Sequence, residues 1–250
     1  MSSDGSAPTL AVIPARYAST RFPGKPLADE TGRPLIQHVL ERVQQAASID
    51  RAVVATDDDR IAEAVNGFGG QAIMTDAGHP NGTSRIAEAV DQLGVEDDTL
   101  VINVQGDEPE IEPGVIDELV AGLRDDPDAP MATLASPFAD DESPADPNIV
   151  KVIVDRHGRA IYFSRAPIPF DRDESGSTYL KHPGCYAYRK PFLATYVGLE
   201  PTPLEQIEKL EQLRALEHGY AIRIVQTDVR HHGIDTPEQY ARFVARQQRD

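Results

Sequence analysis

Leu10-Ala11-Val12-Ile13-Pro14-Ala15-Arg16-Tyr17-Ala18-Ser19-Thr20-Arg21-Phe22-Pro23-Gly24-Lys25-Pro26 is the stretch that decides the fold. Its apolar run, residues 10–13, is stopped by Pro14 and reads as a buried strand. A loop of small residues follows at once. It carries Arg16, Arg21 and Lys25, three cations within ten residues of a chain whose net charge is −17. Open α/β sheets bind ligands just outside the carboxyl ends of their strands, where this loop lies.

The alternation of strand and helix repeats outward from there. Leu35, Ile36, Val39, Leu40 and Val43 recur at helical spacing within 34–47, and Ala52–Ala55 is a second strand. A short helix at 58–66, a strand at 72–74 and a helix at 84–93 follow. Leu100-Val101-Ile102-Asn103-Val104 is the strongest strand signal, followed by a helix at 113–123 and a strand at 131–135. This succession predicts a parallel sheet covered by helices on both faces.

The character changes after Asp140. Segments 149–154 and 159–163 flank Asp155-Arg156-His157-Gly158, a hairpin turn, and 171–179 is a polar, turn-rich loop. A strand is expected at 184–188. A helix is expected over 203–218, opened by Thr202, Pro203 and Glu205, with Leu204, Ile207, Leu210 and Leu213 as its core stripe. Its Glu run reads as a solvated face supported by a Glu205–Lys209 pair. A strand at 222–225 and a helix opened by Thr236-Pro237 complete the chain. The expected fold is α/β, a doubly wound, mostly parallel sheet with a small antiparallel excursion at about 150–190. It forms a single domain over 1–250, with one half at about 9–140 and the other at about 141–250.

Composition excludes several functions. The chain has 41 Asp+Glu against 24 Lys+Arg, so it lacks the basic surface that nucleic-acid or polybasic membrane binding requires. Cys185 is the one cysteine, so neither an intramolecular disulfide nor a multi-cysteine metal site is possible. The first residues have no basic or apolar signal-peptide regions, and no apolar run is long enough to span a membrane. A cytoplasmic protein is expected.

Four further groups carry chemistry. The cationic loop suits triphosphate, with backbone N–H groups free to approach an anion. It is neither a dinucleotide fingerprint nor a Walker A loop, which argues against a nicotinamide-dependent oxidoreductase. Gln105-Gly106-Asp107-Glu108 follows the strongest strand, so Asp107 is either a divalent-metal ligand or an acidic turn capping the next helix. Asp235, in Gly233-Ile234-Asp235-Thr236-Pro237, is either an acid at the next helix start or a second metal ligand. Asn81-Gly82-Thr83-Ser84 is a turn and a cap whose helix N-terminus could receive a polar ligand edge. In the excursion, Arg165 and His182 could hold an anionic or hydroxylated substrate.

In order along residues 10–240, these segments resemble one family, the 3-deoxy-manno-octulosonate (Kdo) cytidylyltransferases, also called CMP-Kdo synthetases. The resemblance rests on residues 13–27, Val54-Ala-Thr-Asp57, Gly82-Thr83, Val104-Gln-Gly-Asp-Glu-Pro109 and Asn148-Ile-Val-Lys151. It continues through Tyr162-Phe-Ser-Arg165, His182–Tyr188, Pro203–Arg214 and Gly233-Ile-Asp-Thr-Pro237. It implies a Rossmann-like nucleotidyltransferase fold. The implied reaction is CTP plus Kdo to CMP-Kdo and pyrophosphate with Mg²⁺, in a cytoplasmic homodimer that feeds lipopolysaccharide assembly. It implies that Arg16, Ser19, Arg21 and Lys25 hold the triphosphate and that Gly82 and Thr83 hold the cytidine. Asp107 and Asp235 are the implied metal ligands and, with Lys25 and Arg16, the catalytic group. Gln105, Arg165, His182, Tyr186, Glu211 and Gln212 are the implied sugar-acid site. A nucleotidyltransferase for a related acidic sugar and a non-catalytic nucleotide-binding homologue are the alternatives.

Overall fold

The computed structural model describes residues 7–18, 21–173, 176–229 and 233–248. The chain forms two compact units, Met1–Asp117 with His231–Asp250, and Glu118–Arg230. The structure divides after Asp117 and returns the C-terminal segment to the first unit.

Unit 1 alternates strand and helix as the sequence pattern demands. Its elements are β1 (Thr9–Ala15), a 3-10 turn (Lys25–Leu27), α1 (Leu35–Gln44), β2 (Arg51–Thr56) and α2 (Asp59–Gly67). β3 (Ala72–Met74), α3 (Gly82–Leu93), β4 (Leu100–Asn103) and the start of α4 (Pro113–Asp125) follow. The strands lie in the order β3-β2-β1-β4, all parallel, with Ile13 opposite Val54 and Val12 opposite Asn103. Strands covered on both faces read as continuous apolar runs, and Leu10, Ala11, Val12, Ile13, Val101 and Ile102 are accordingly buried. The helical stripe Leu35, Ile36, Val39, Leu40 and Val43 is fully buried, as its spacing predicts.

Unit 2 contains β5 (Met131–Pro137), β6 (Lys151–Val154), β7 (Ala160–Ser164), β8 (Leu180–Lys181) and β9 (Tyr186–Arg189). It also contains α5 (Lys190–Val197), α6 (Pro203–Glu208), α7 (Gln212–Glu217) and β10 (Ile222–Gln226). β5 pairs parallel with β10 and antiparallel with β9 and β8, and β6 pairs antiparallel with β7 and β8. The hairpin between β6 and β7 is the one expected. Asp155 Oδ1 accepts from the backbone N–H groups of His157 (2.7 Å) and Arg159 (2.9 Å), and Gly158 takes φ +77°. The last helix, α8 (Pro237–Gln247), belongs to unit 1. There Leu35, Ile234, Tyr240 and Phe243 form one buried cluster.

The expected helix over 203–218 is corrected to two short helices. Lys209 ends α6 in the left-handed region at φ +55°. The reason is electrostatic. Arg214 grips Glu205 with Nε–Oε2 at 2.8 Å and Nη2–Oε1 at 2.5 Å. Nine residues of unbroken helix would hold that pair about 13.5 Å apart along the axis. The break brings them together, so Glu205 is buried against Arg214 and not paired with Lys209 across a solvated face. Glu208 is also engaged, accepting from Ser164 Oγ (2.6 Å) and the Arg165 N–H (2.9 Å). The apolar stripe divides accordingly: Leu210 and Leu213 are buried, but Ile207 is 77% exposed. The sequence reading also missed α5, although Pro191 near a helix start with Phe192, Leu193 and Tyr196 behind it was a usable signal.

Lys151 closes unit 2 from inside. It is fully buried, and its ammonium gives its three protons to the carbonyl oxygens of Asp146 (3.0 Å), Ile149 (2.6 Å) and Arg165. Burial pushes its pKa below the ordinary lysine value. Replacing it with Met leaves those carbonyls without their donor. Lys151→Met is expected to cost about 1–3 kcal/mol of stability, read from the shift of the urea unfolding midpoint.

Candidate active site

In unit 1 the carboxyl ends of β1 and β4 and the start of α3 meet around Pro14. A Cβ on Gly106 would lie 2.9 Å from the Pro14 carbonyl oxygen, and one on Gly82 would lie 3.4 Å from Pro14 Cγ. These glycines let the loop after β4 and the first turn of α3 approach the end of β1. Asn81 caps α3, its side chain accepting from the Ser84 N–H at 2.9 Å. Gly82 and Thr83 form the first turn, with Thr83 buried. That turn is braced by Arg85, also buried, which bonds Thr75 Oγ1 (2.6 Å) and Asp57 Oδ2 (3.0 Å).

The cationic loop meets two carboxylates here. Lys25 Nζ donates to Asp107 Oδ2 at 2.8 Å and to the Ile234 carbonyl oxygen at 2.6 Å, and it lies 3.7 Å from Asp235 Oδ1. Arg21 Nη2 lies 3.0 Å from the same Asp235 oxygen. The Lys25 side chain is 12% exposed, Asp107 30% and Asp235 44%, so the carboxylates open to solvent while the ammonium sits behind them. The backbone fixes the arrangement, because the Ile234 N–H donates to the Asp107 carbonyl oxygen at 2.9 Å. Gly24, at φ +73°, turns the loop so that Lys25 points inward, with its N–H bonded to the Tyr17 carbonyl at 3.0 Å.

The structure thus brings together Arg21, Lys25, Asp107 and Asp235, four residues from three distant stretches of sequence. Neither aspartate is a helix cap. Asp107 is engaged by Lys25, and Thr236 caps α8 while Asp235 precedes it. Arg16 is exposed just past the end of β1. Gln105 Nε2 lies 3.5 Å from Asn103 Oδ1. Ser19 lies outside the described residues. Two carboxylates converging on one cation supply the hard oxygen donors that Mg²⁺ prefers, so the donor set fits that ion. Among the described residues no group of three or more metal-ligating side chains is present. A metal held here would therefore complete its shell with substrate oxygens and water.

Unit 2 gathers a second set. His182 Nε2 lies 2.9 Å from Thr133 Oγ1, and its Nδ1 lies 3.5 Å from Gln212 Nε2. The Tyr186 hydroxyl donates to Gln212 Oε1 at 3.3 Å. The His182 ring packs edge-on against Phe163 and tilted against Tyr186. This enclosure strips its water and lowers its pKa to about 3, while burial raises that of the Tyr186 phenol. Both rings are therefore neutral near pH 7. The Glu211 carbonyl accepts from the Tyr196 hydroxyl at 2.8 Å. Arg165 spends three of its donor groups on carbonyl oxygens of its own chain: Glu208 (2.7 Å), Pro147 (2.9 Å) and Lys209 (3.4 Å). Two of the five guanidinium N–H groups are left over for a ligand. Thr133 and Glu208 are the partners that the sequence reading missed. A threonine inside the buried run Met131-Ala132-Thr133-Leu134-Ala135 was the available signal, since a buried hydroxyl requires a partner.

A family model described as cytidylyltransferase matches residues 10–224. The chain is 55% identical to the 3-deoxy-manno-octulosonate cytidylyltransferase of Syntrophotalea carbinolica, over 94% of this chain and 96% of that one. It is 48% identical to the enzyme of the same name from Halorhodospira halophila, over 90% and 91%. Among solved structures it is similar to CMP:2-keto-3-deoxy-manno-octonic acid synthetase complexed with CTP. That match has a TM-score of 0.91 at 45% identity, covering 97% of this chain and 99% of that one. A TM-score of 0.62 at 16% identity relates it by fold alone to 4-diphosphocytidyl-2C-methyl-D-erythritol synthase of Anaerococcus prevotii.

Two outcomes follow from the geometry. Gly106→Ala drives a methyl group into the Pro14 carbonyl and is expected to cost about 1–3 kcal/mol, read by thermal unfolding. His182 supplies a pH dependence. Its folded pKa is about 3, below the unfolded value of about 6.5, so between those values only the unfolded chain binds the proton. Stability is lost as pH falls below about 6.5, by up to about 1.4 kcal/mol per unit from this one group. His182→Gln is expected to flatten that acid limb, as measured by denaturant titration at a series of pH values.

Proposed function

We propose, from the premise that this chain belongs to the 3-deoxy-manno-octulosonate cytidylyltransferase family, that it transfers CMP from CTP to Kdo with release of pyrophosphate. The observation that carries the reading is the Lys25 ammonium between Asp107 and Asp235 at the carboxyl end of a parallel sheet. An anionic nucleotide requires cations there, and the two carboxylates require a metal if a triphosphate is to approach them. The coarser activity, cytidylyl transfer, follows from family membership. The sugar, the metal and the residue roles are our assignment.

In this reading Arg16, Ser19, Arg21 and Lys25 bind the triphosphate, and Gly82 and Thr83 at the start of α3 bind the cytidine. Asp107 and Asp235 hold Mg²⁺. The ion, when bound, supplies Lewis-acid neutralisation of phosphate oxygens. The cations of the loop stabilise the charge that builds on pyrophosphate as it leaves. The C2 hydroxyl oxygen of the sugar forms the new bond to the α-phosphorus while the bond to the β-phosphate bridge breaks. Asp235, the more exposed carboxylate, receives the hydroxyl proton. In unit 2, Arg165 offers its remaining N–H groups to the sugar carboxylate, and Gln212, Tyr186, His182 and Glu211 line the sugar site; Gln105 of unit 1 is assigned to the same substrate. No covalent enzyme intermediate is needed, so Cys185 is a packing residue.

We also assign the protein to the cytoplasm, as a homodimer whose product feeds lipopolysaccharide assembly. Among the described residues no helix is long and apolar enough to cross a membrane. Exposed Ile161, Phe170 and Ile207 in unit 2 support a dimer contact there.

The test is pyrophosphate release from CTP with and without Kdo, in Mg²⁺ and after chelation. Release requiring both substrates and the metal, with CMP-Kdo as product, is expected. Release with another acidic sugar but not Kdo would overturn the substrate assignment. Asp235→Asn is expected to lower kcat about 10²–10³-fold, and near-normal turnover at saturating Mg²⁺ would remove Asp235 from its role.

A further inference from the structure

Thr133 has one hydroxyl proton, and the structure shows where it goes. Its Oγ1 lies 2.6 Å from the Cys185 carbonyl oxygen, which can only accept. The same Oγ1 lies 2.9 Å from His182 Nε2. With its proton committed, the hydroxyl can offer that ring nitrogen only a lone pair. Nε2 must then carry the hydrogen and Nδ1 must be bare. The other side of the ring agrees with this assignment. Nδ1 faces Gln212 Nε2, an amide nitrogen that can only donate. With the amide in this orientation, its Oε1 accepts from the Tyr186 hydroxyl. One polarity satisfies every link of the chain Tyr186–Gln212–His182–Thr133–Cys185.

We propose that Thr133 is a positioning residue for the sugar site, holding His182 as the neutral Nε2–H tautomer so that Nδ1 serves as a hydrogen-bond acceptor for a sugar hydroxyl. The inference rests on the assignment of the sugar acid to unit 2. Nδ1 is weakly held by Gln212, since 3.5 Å is the outer limit of a hydrogen bond. A hydroxyl donor can therefore displace the amide at little cost. This wall thus selects for hydroxyl protons and rejects a second anion, in a site that must still admit a carboxylate to Arg165. Threonine at 133 is buried in β5, whose backbone is held by β10 on one side and β9 on the other, so its hydroxyl finds its partners within the protein.

The experiment is nitrogen-15 NMR of the histidine side chains of the full chain, with steady-state kinetics on CTP and Kdo. In the unsubstituted protein the His182 signal, identified by its loss in His182→Gln, is expected to show Nε2–H with an unprotonated Nδ1 from about pH 5.5 to 8.5. Thr133→Val keeps the shape and removes the hydroxyl. It is expected to mix the tautomers and raise KM for Kdo about tenfold, equivalent to about 1.4 kcal/mol, with KM for CTP unchanged. Thr133→Ser is expected to restore both. A native Nδ1–H tautomer, an imidazolium near neutral pH, or a Thr133→Val protein with unchanged tautomer and KM would overturn the proposal. If Thr133→Val does not fold, the native tautomer decides alone. A protein with the expected tautomer that turns over no Kdo would instead refute the substrate assignment and leave the ring's polarity standing.

Discussion

The position of the Lys25 ammonium is the constraint on which unit 1 depends. Its partners come from residues 82 and 209 positions further along the chain. Asp107 closes the strongest strand signal, and Ile234 with Asp235 lies just before the last helix. The contact therefore ties the returning C-terminal segment to the sheet. An ion pair of this partial burial contributes little to stability by itself, because desolvation offsets most of the Coulombic gain. Its consequence is geometric. It aims two carboxylates at one point and keeps a third charge between them, so they do not stand as a pair of unscreened anions. The surrounding architecture serves that aim: glycines at 82 and 106 let three elements crowd Pro14, and Gly24 turns the cation inward.

How much of this was legible in the sequence depends on the range of the forces involved. The parallel strands of unit 1 declare themselves locally, because burial on both faces demands an unbroken apolar run such as Leu10–Ile13. The helices between them show their 3.6-residue period for the same reason. The segment 203–218 misled because its decisive interaction is nonlocal. Thr202, Pro203 and Glu205 announce a helix start correctly, and every residue to Leu216 tolerates helix. Only the pairing of Glu205 with Arg214, and of Glu208 with Ser164, selects a chain that turns at Lys209. Periodicity cannot see a side chain that reaches back across a break.

The same distinction governs the site residues. Lys25, Asp107 and Asp235 each had a local alternative, and for Asp235 the helix-start acid was the favoured reading. Their convergence in space ranks the readings, since Asp107 is drawn to a cation 82 residues away rather than to the next helix. Family resemblance supplied the grouping in advance, and the geometry supplies the reason for it. Thr133 was passed over for a related cause. It lies in an apolar strand where a hydroxyl is easily read as a small filler, and its partners, Cys185 and His182, become neighbours only through the antiparallel pairing of β5 with β9.

The two units gather side chains of different physics. Unit 1 gathers formal charges, Arg21 and Lys25 with Asp107 and Asp235, which would suit a phosphate chain as proposed. Unit 2 does the reverse around His182: enclosure keeps the imidazole and the Tyr186 phenol neutral, and their hydrogen bonds form one directed series. A neutral wall cannot attract a sugar from a distance, but it can tell one arrangement of hydroxyls from another, because a misplaced donor or acceptor is left unpaired on burial. Charge is kept at Arg165, and even there most of the guanidinium is fixed by backbone carbonyls. In a chain with a net charge of −17, long-range attraction of an anionic sugar is weak in any case. If unit 2 takes the sugar acid as proposed, its discrimination comes from contact, and a fixed tautomer would make that contact selective.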